Sequence, residues 1–238
     1  MIVKYAFFSD LHLGDGSLAD NFQKKNWKDF YSLIKKLWNE KYIIVLVGDI
    51  FELLQFKYKD IVKTYPEIVN VVSNSKYVIG NHDLEVSKYI TTAEMYDKLE
   101  LCNGKVLIYH GHQDDLPMGK GIVKLALRCW AFIEKLVGKK ISSWIQSEPI
   151  SPNDKRYIGD KSEYVKKAKE RAIKLDKRIV IFGHTHEPGI FYCTNHGFFI
   201  KRVIINTGTC QNSKLMYATI EYNAYTDEIV DYTLKFIK

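Results

Sequence analysis

Three features of this 238-residue sequence predict an α/β fold of mixed sheets flanked by helices. Short apolar runs rich in β-branched residues recur along the chain, each closed by Gly or Ser and then by Asp, His or Asn. Stretches with apolar residues at helical spacing separate the early runs, the pattern of a sheet with helices on its faces. From Ile190 onward strand-like runs follow one another directly, which adds antiparallel strands. The expected architecture is a sandwich of mixed sheets with helices outside.

Taken in order, residues 2–8 read as a buried strand ending at Ser9-Asp10. Phe22, Trp27, Phe30, Leu33, Ile34 and Leu37 fall near helical period and predict a helix over 20–39. Tyr42 to Val47 is a continuous apolar run closed by Gly48-Asp49, a central strand. Ile61 to Ser73 predicts a helix in which Pro66 must lie near the first turn or bend it. Tyr77-Val78-Ile79, Val106 to Tyr109 and Ile179 to Phe182 are further strands, each followed by Gly or His. Residues 190–194, 198–205, 215–222 and 228–236 complete the strand set, with Asn195-His196-Gly197 as a hairpin turn. Between them, residues 116–177 read as almost wholly helical, a cap inserted into one domain spanning 1–238.

Composition narrows the class. An apolar fraction of 46% with 26% charged residues is ordinary for a globular chain and excludes disorder. The longest strongly apolar run, Tyr42–Val47, is far short of the roughly 18 residues of a membrane-spanning helix. Met1 to Asp10 does not read as a secretory leader, because a carboxylate and His12 follow a short apolar run. The four cysteines form no C-x-x-C pair and read as free thiols. The expectation is a cytoplasmic protein. A net charge of +7 suits phosphate-rich partners without specifying one.

The chemistry-bearing residues collect where strands end: Asp10 and His12, Asp49, Asn81-His82-Asp83, His110 and His112, His184 and His186. Six of the seven histidines are in this set. A single histidine after a strand is ordinarily a satisfied core residue, but six at equivalent ends are not so explained. In an α/β sheet those ends converge on the ligand-binding edge. Imidazoles and carboxylates brought together there can hold divalent cations, and a carboxylate between two ions can bridge them about 3.5–4 Å apart. Asp10 and His12, alternate residues on an extended segment, would face one ion. His184 and His186 share that spacing.

Asp10-Leu-His12, Gly48-Asp49, Gly80-Asn81-His82-Asp83, His110-Gly111-His112 and Gly183-His184-Thr185-His186 together resemble the calcineurin-like metallophosphoesterase superfamily, and Asn206-Thr-Gly208 resembles a following block. The resemblance implies that Asp10, His12, Asp49 and His186 ligate one metal and Asp49, Asn81, His110 and His184 the other. It implies that His82 stabilises the transition state or protonates the leaving oxygen, oriented by Asp83. Two divalent ions are the implied cofactor, Mn²⁺ first, with Fe, Zn²⁺ or Ni²⁺ also compatible with oxygen and nitrogen donors. The implied reaction is hydrolysis of a phosphoester or pyrophosphate bond by hydroxide formed from water beside the ions.

Within the superfamily, Gly48-Asp-Ile-Phe-Glu52 lacks the Arg of the protein Ser/Thr phosphatases. Together with His110-Gly-His-Gln-Asp-Asp115 and Gly183-His-Thr-His-Glu-Pro188, it resembles the UDP-2,3-diacylglucosamine pyrophosphohydrolase branch, whose members commonly carry Arg where this chain has His82. That branch implies a lipid-nucleotide or other phosphorylated small-molecule substrate and a helical lid. His112, Asp115, Lys120, Lys124 and Arg128 are the candidate substrate contacts, and Lys166, Lys167 and Arg171 add positive charge. The apolar side of the cap, with Trp130, Phe132 and Trp144, is a candidate for acyl chains or peripheral membrane contact. A nuclease or cyclic-nucleotide phosphodiesterase using the same centre is the alternative, with nucleic acid less favoured because few aromatics accompany the basic residues. Repair nucleases of the superfamily usually carry a further capping domain, and this sequence runs to Lys238. A non-catalytic scaffold on the same fold is the reading from another class.

Overall fold

The structure, a computed structural model, describes residues 1–115, 159–195, 198–211 and 214–237. Two mixed sheets face each other. The first has six strands in the order β11-β10-β1-β2-β3-β4 and the second five in the order β5-β6-β7-β9-β8. In the first, β1 (Ile2–Phe8), β2 (Tyr42–Val47), β3 (Lys76–Val78) and β4 (Glu94–Tyr96) run parallel. β10 (Leu215–Asn223) and β11 (Glu228–Ile237) add antiparallel neighbours beside β1. In the second, β6 (Val106–Tyr109), β7 (Ile179–Phe182) and β9 (Phe198–Asn206) are parallel, bordered by antiparallel β5 (Lys98–Leu101) and β8 (Gly189–Asn195). The mixed two-sheet sandwich expected from the sequence is the observed fold.

Alternation along the strands sends side chains into separate cores. Phe7, Val45, Val47, Ile108, Ile181 and Ile205 fill the space between the sheets. Phe8, Ile44 and Leu46 point the other way, onto α1 (Trp27–Asn39), whose Trp27, Phe30, Leu33, Ile34 and Leu37 form one apolar stripe. The region read as one helix over 61–73 is two, α2 (Tyr58–Thr64) and α3 (Ile68–Ser73). Pro66 lies in the break, where it lacks the N–H that a continuous helix needs.

On the far side of the second sheet, α4 (Glu163–Lys174) buries Tyr164, Val165, Ala168 and Ala172 against Leu107, Val180, Phe182 and Ile204. This last part of the stretch read as a cap is therefore a crossover helix joining two parallel strands and packed on their sheet. Residues 116–158, with Lys120, Lys124, Arg128, Trp130, Phe132 and Trp144, lie outside the described residues, as does the tip of the 195–197 turn. The short strands β4 and β5 have no continuous apolar run and add to the strands expected from the sequence. Among the described residues no helix is long and apolar enough to cross a membrane. Cys102, Cys193 and Cys210 are free thiols.

Candidate metal centre

Five of the parallel strands deliver polar residues to one edge of the sandwich. Asp10 and His12 follow β1, Asp49 follows β2, Asn81-His82-Asp83 follow β3, His110 and His112 follow β6, and His184 and His186 follow β7. Room for this convergence comes from glycine. A Cβ on Gly80 would collide with the Asp49 carboxylate, and one on Gly183 would sit 2.5 Å from Asp10 Oδ2 and from Ser9 Oγ. Any larger residue in either place would push a carboxylate out of position.

The backbone here is not extended. Asp10, His12, Asp49, His184 and His186 all have φ between +49° and +70°. Non-glycine residues seldom adopt this left-handed region, at a cost of about 1–3 kcal/mol each. Asp10 and His12 share a face because the chain turns sharply at each, so the alternation expected of an extended segment is not the cause.

Three groups of donors lie within 4.8 Å of one another: Asp10, His12 and His186; Asp49, His110 and His184; and His12, Glu52 and His82. Asp49 faces the first two groups. Its Oδ2 is 3.0 Å from His110 Nε2 and 3.7 Å from His12 Nε2, while Oδ1 accepts the His82 N–H at 2.8 Å. His186 Nε2 is 3.3 Å from Asp10 Oδ1 and from His12 Nε2. Behind Asp10, Ser9 Oγ donates to its Oδ2, the His184 N–H reaches the same oxygen at 3.0 Å, and Thr209 Oγ donates to its carbonyl. The Asn206-Thr-Gly208 block thus supports the site from outside, with Asn206 Nδ2 donating to Thr185 Oγ at 2.6 Å.

The second nitrogens of the imidazoles orient the rings. His110 Nδ1 lies 2.7 Å from the Val47 carbonyl and must donate to it, which turns Nε2 toward Asp49. His12 Nδ1 is held by Glu52 at 2.8 Å. Asn81 Oδ1 and His112 Nδ1 are buried with no hydrogen-bond partner among the described residues, and Asp10 Oδ1 and His110 Nε2, also buried, have only the ion-pair contacts given above. Unsatisfied buried polar atoms are costly, and three of these four are atoms expected to ligate metal. Together with an oxygen and imidazole donor set free of thiolate, they fit divalent cations. Asn81 is placed beside Asp49 by the His82 amide contact.

Charge is concentrated accordingly. Burial opposes ionisation of Asp10 and Asp49, but the histidines facing them outweigh it and hold both carboxyls well below their usual range. Burial likewise opposes the charged form of His110, but Asp49 outweighs it and pushes the imidazole up to about 9. His112 is lowered to about 4 by burial and by the neighbouring His110.

One expected contact is replaced. Asp83 is fully buried, and its carboxylate accepts the Gly80 and Ile50 N–H groups at 2.7 and 2.8 Å and the Tyr77 hydroxyl. It holds the turn. Burial and the nearby Asp49 raise its pKa to about 6. The His82 ring is held by Glu52 instead, with Nδ1 2.7 and 2.8 Å from its two oxygens. Glu52 closes the Gly48-Asp-Ile-Phe-Glu52 block, and its sequence signal is a carboxylate three residues beyond Asp49. Burial works against its ionised form, yet His82 and His12 bring its pKa down to about 2.

The candidate substrate contacts divide. Asp115 Oδ1 is 3.0 Å from His184 Nε2 and accepts the Tyr164 hydroxyl. His112 stands beside His110, with ring centroids 5.6 Å apart. Arg171 is committed to Asp114 by a bidentate pair at 2.5 and 2.6 Å and lies over the Tyr109 ring. Lys166 pairs with Glu163, and Lys167 donates to the Asp114 carbonyl. Arg171 and Lys167 anchor α4 to the turn after β6, whereas the Lys166 pair lies within the helix.

Residues 3–188 match the family model of calcineurin-like phosphoesterases. The chain belongs to that family. Residues beyond the match supply β8–β11, the strands that complete both sheets of this calcineurin-like phosphoesterase. No curated protein matches the sequence. Among solved structures, the family member is similar to a predicted phosphoesterase from Streptococcus pneumoniae TIGR4, with 12% identity, a TM-score of 0.44, and coverage of 100% of this chain and 90% of the other. It is also similar to Vacuolar Protein Sorting 29 from Cryptosporidium parvum, at 13% identity, TM-score 0.45 and coverage of 99% and 98%. The Entamoeba histolytica protein of that name, complexed with Zn²⁺, gives 14%, 0.40, and coverage of 100% and 98%. Likenesses this weak decide nothing about the activity of this chain.

Proposed function

We propose that this chain is a hydrolase of phosphoester or pyrophosphate bonds that works with two divalent ions, Mn²⁺ being the first choice. The observation that supports it is the paired cluster Asp10–His12–His186 and Asp49–His110–His184, with Asp49 facing both and buried atoms lacking partners. Asp10, His12, Asp49 and His186 would hold one ion, and Asp49, Asn81, His110 and His184 the other. Bound there, such ions supply Lewis-acid polarisation of phosphoryl oxygens and a water of lowered pKa.

The chain's own residues do the rest. Glu52 and Asp49 outweigh the burial of His82 and raise its pKa, favouring a protonated ring beside the clusters. Glu52 fixes Nδ1, which leaves Nε2 to give a proton to the departing oxygen or to a phosphoryl oxygen. Asp83 shapes the turn that presents Asn81 and His82.

For the substrate we infer a nucleotide-lipid pyrophosphate, on the resemblance of the Glu52, Asp115 and Pro188 blocks. His82, standing where that branch commonly carries Arg, favours a second reading, a phosphodiesterase whose leaving group needs a proton. The test is the Mn²⁺-loaded protein against an aryl phosphomonoester, a phosphodiester, a UDP-sugar lipid and single-stranded DNA, each with and without chelator. Chelator-sensitive turnover of the UDP-sugar lipid well above the others supports the first reading, and of the phosphodiester the second. A well-folded chain that takes up metal and hydrolyses none of them would make it a scaffold.

A further inference from the structure

The last strand, β11, is an edge. It pairs with β10 on one side, and among the described residues no strand pairs with the other. A ten-residue edge with free backbone N–H and C=O groups is a template for another strand. Val230, Phe236 and Ile237 on it are 57%, 58% and 37% exposed. Tyr232 and Leu234 pack toward the inter-sheet core, whereas Thr233 and Lys235 lie on the opposite face, Thr233 hydrogen-bonded to Thr219 and Lys235 over the Tyr217 ring. Asp231 stands directly across from Glu221 of β10, and Glu221 has Lys4 on its other side. Like charges opposite one another are unfavourable, and no described cation forms an ion pair with Asp231.

We propose that β11 is the interface of a symmetric dimer, two copies of this chain joined by antiparallel pairing of the strand with itself about Thr233. A twofold contact of this kind sets residue i against j and j against i. Centred on Thr233, Asp231 of each copy meets Lys235 of the other on one face, so the symmetry supplies two equivalent ion pairs. Tyr232 meets Leu234, and Val230, the bulged residue of β11, meets Phe236, which covers the strand's two most exposed apolar side chains. Other registers lose this match. A shift of one residue sets Asp231 against Leu234 or Phe236, and Lys235 against Val230 or Tyr232. A shift of two also leaves neither charge facing its opposite. The strand is thus complementary to itself in one alignment, and that selects a second copy of this chain over an unrelated strand.

Sedimentation equilibrium from nanomolar to high-micromolar protein tests it. The wild type should associate to a dimer. Asp231→Lys and Lys235→Asp, each turning two attractive pairs into repulsive ones, should raise the dimer dissociation constant about tenfold or more. The double variant, with the charges exchanged, should recover most of the loss, because opposite charges again face one another. All three variants must first melt cooperatively. A wild type that stays monomeric throughout overturns the proposal. So does a dimer indifferent to the single changes, or a double variant no better than the singles.

Discussion

The two sheets contribute unequally to the centre. The first brings all its buried carboxylates: Asp10, Asp49, Glu52 and Asp83 are at most 2% exposed. The second brings imidazoles, and its outer pair is open, with the His184 and His186 side chains 16% and 30% exposed. Buried charge is expensive unless paired, and here each carboxylate at the clusters faces histidines or backbone N–H groups. The contrast teaches where a ligand enters. The carboxylate half is sunk and held by hydrogen bonds, while the outer imidazole donors rim the opening.

Breaking the charged half should do the most damage. Asp49→Asn removes charge that faces both clusters, so both ions should be lost on metal analysis of the purified protein, and turnover with them. Its counterpart, His186→Ala, should cost the Asp10 cluster alone and leave about one ion per chain. Equal losses in the two variants would erase the distinction between the sheets.

Next comes His82, which belongs to the first sheet but is proposed to act on substrate. His82→Ala should lower kcat by about 10²–10⁴-fold while both ions stay bound. Metal loss in step with activity would make it a ligand. Glu52→Gln sharpens this further, because the residue touches one expected ligand, His12, and one expected acid, His82. Metal affinity should fall by about 10–100-fold, as for other partners behind a ligand, and titration calorimetry with Mn²⁺ would measure it. Turnover at saturating metal should also drop, since His82 loses the carboxylate that fixes its ring and favours its protonated form.

The smallest effect should come from the support of the second sheet. Arg171→Ala leaves Asp114, 4% exposed, without its bidentate partner. A loss of about 2 kcal/mol in unfolding free energy is expected, less than for a fully buried pair because Arg171 is partly solvated. Metal affinity should stay within a fewfold of the parent. A large fall in affinity would show that the α4 anchor positions the imidazoles.

Much of the fold and site can be read from the sequence, for a local reason. Each of β2, β6 and β7 is one contiguous apolar run, β1 and β3 depart from that only at Lys4 and Lys76, and the polar residues they deliver follow within a few positions. Asp10, Asp49, His110 and His184 therefore announce themselves. Glu52 does not, because what makes it functional is contact with residues 40 and 30 positions away. The same limit hides the partners of Asp83: its position next to His82 suggests a contact there, whereas its carboxylate accepts from the Gly80 and Ile50 N–H groups and the Tyr77 hydroxyl. Arg171 and Lys167 read as free charge because their partners, Asp114 and its carbonyl, lie across the crossover. The strands β4 and β5 are too short and too polar to show a period.

The stitching of Asp10 to the His184 backbone, across 174 residues of chain, also sets an order in time. Helices and hairpins form from near neighbours early, whereas contacts of such separation wait until the intervening chain has closed. The donors of β1 and β2 meet those of β6 and β7 only once the two sheets have docked. Metal uptake by a refolding chain should lag behind the recovery of helix and strand, and so act as a clock for the final docking step.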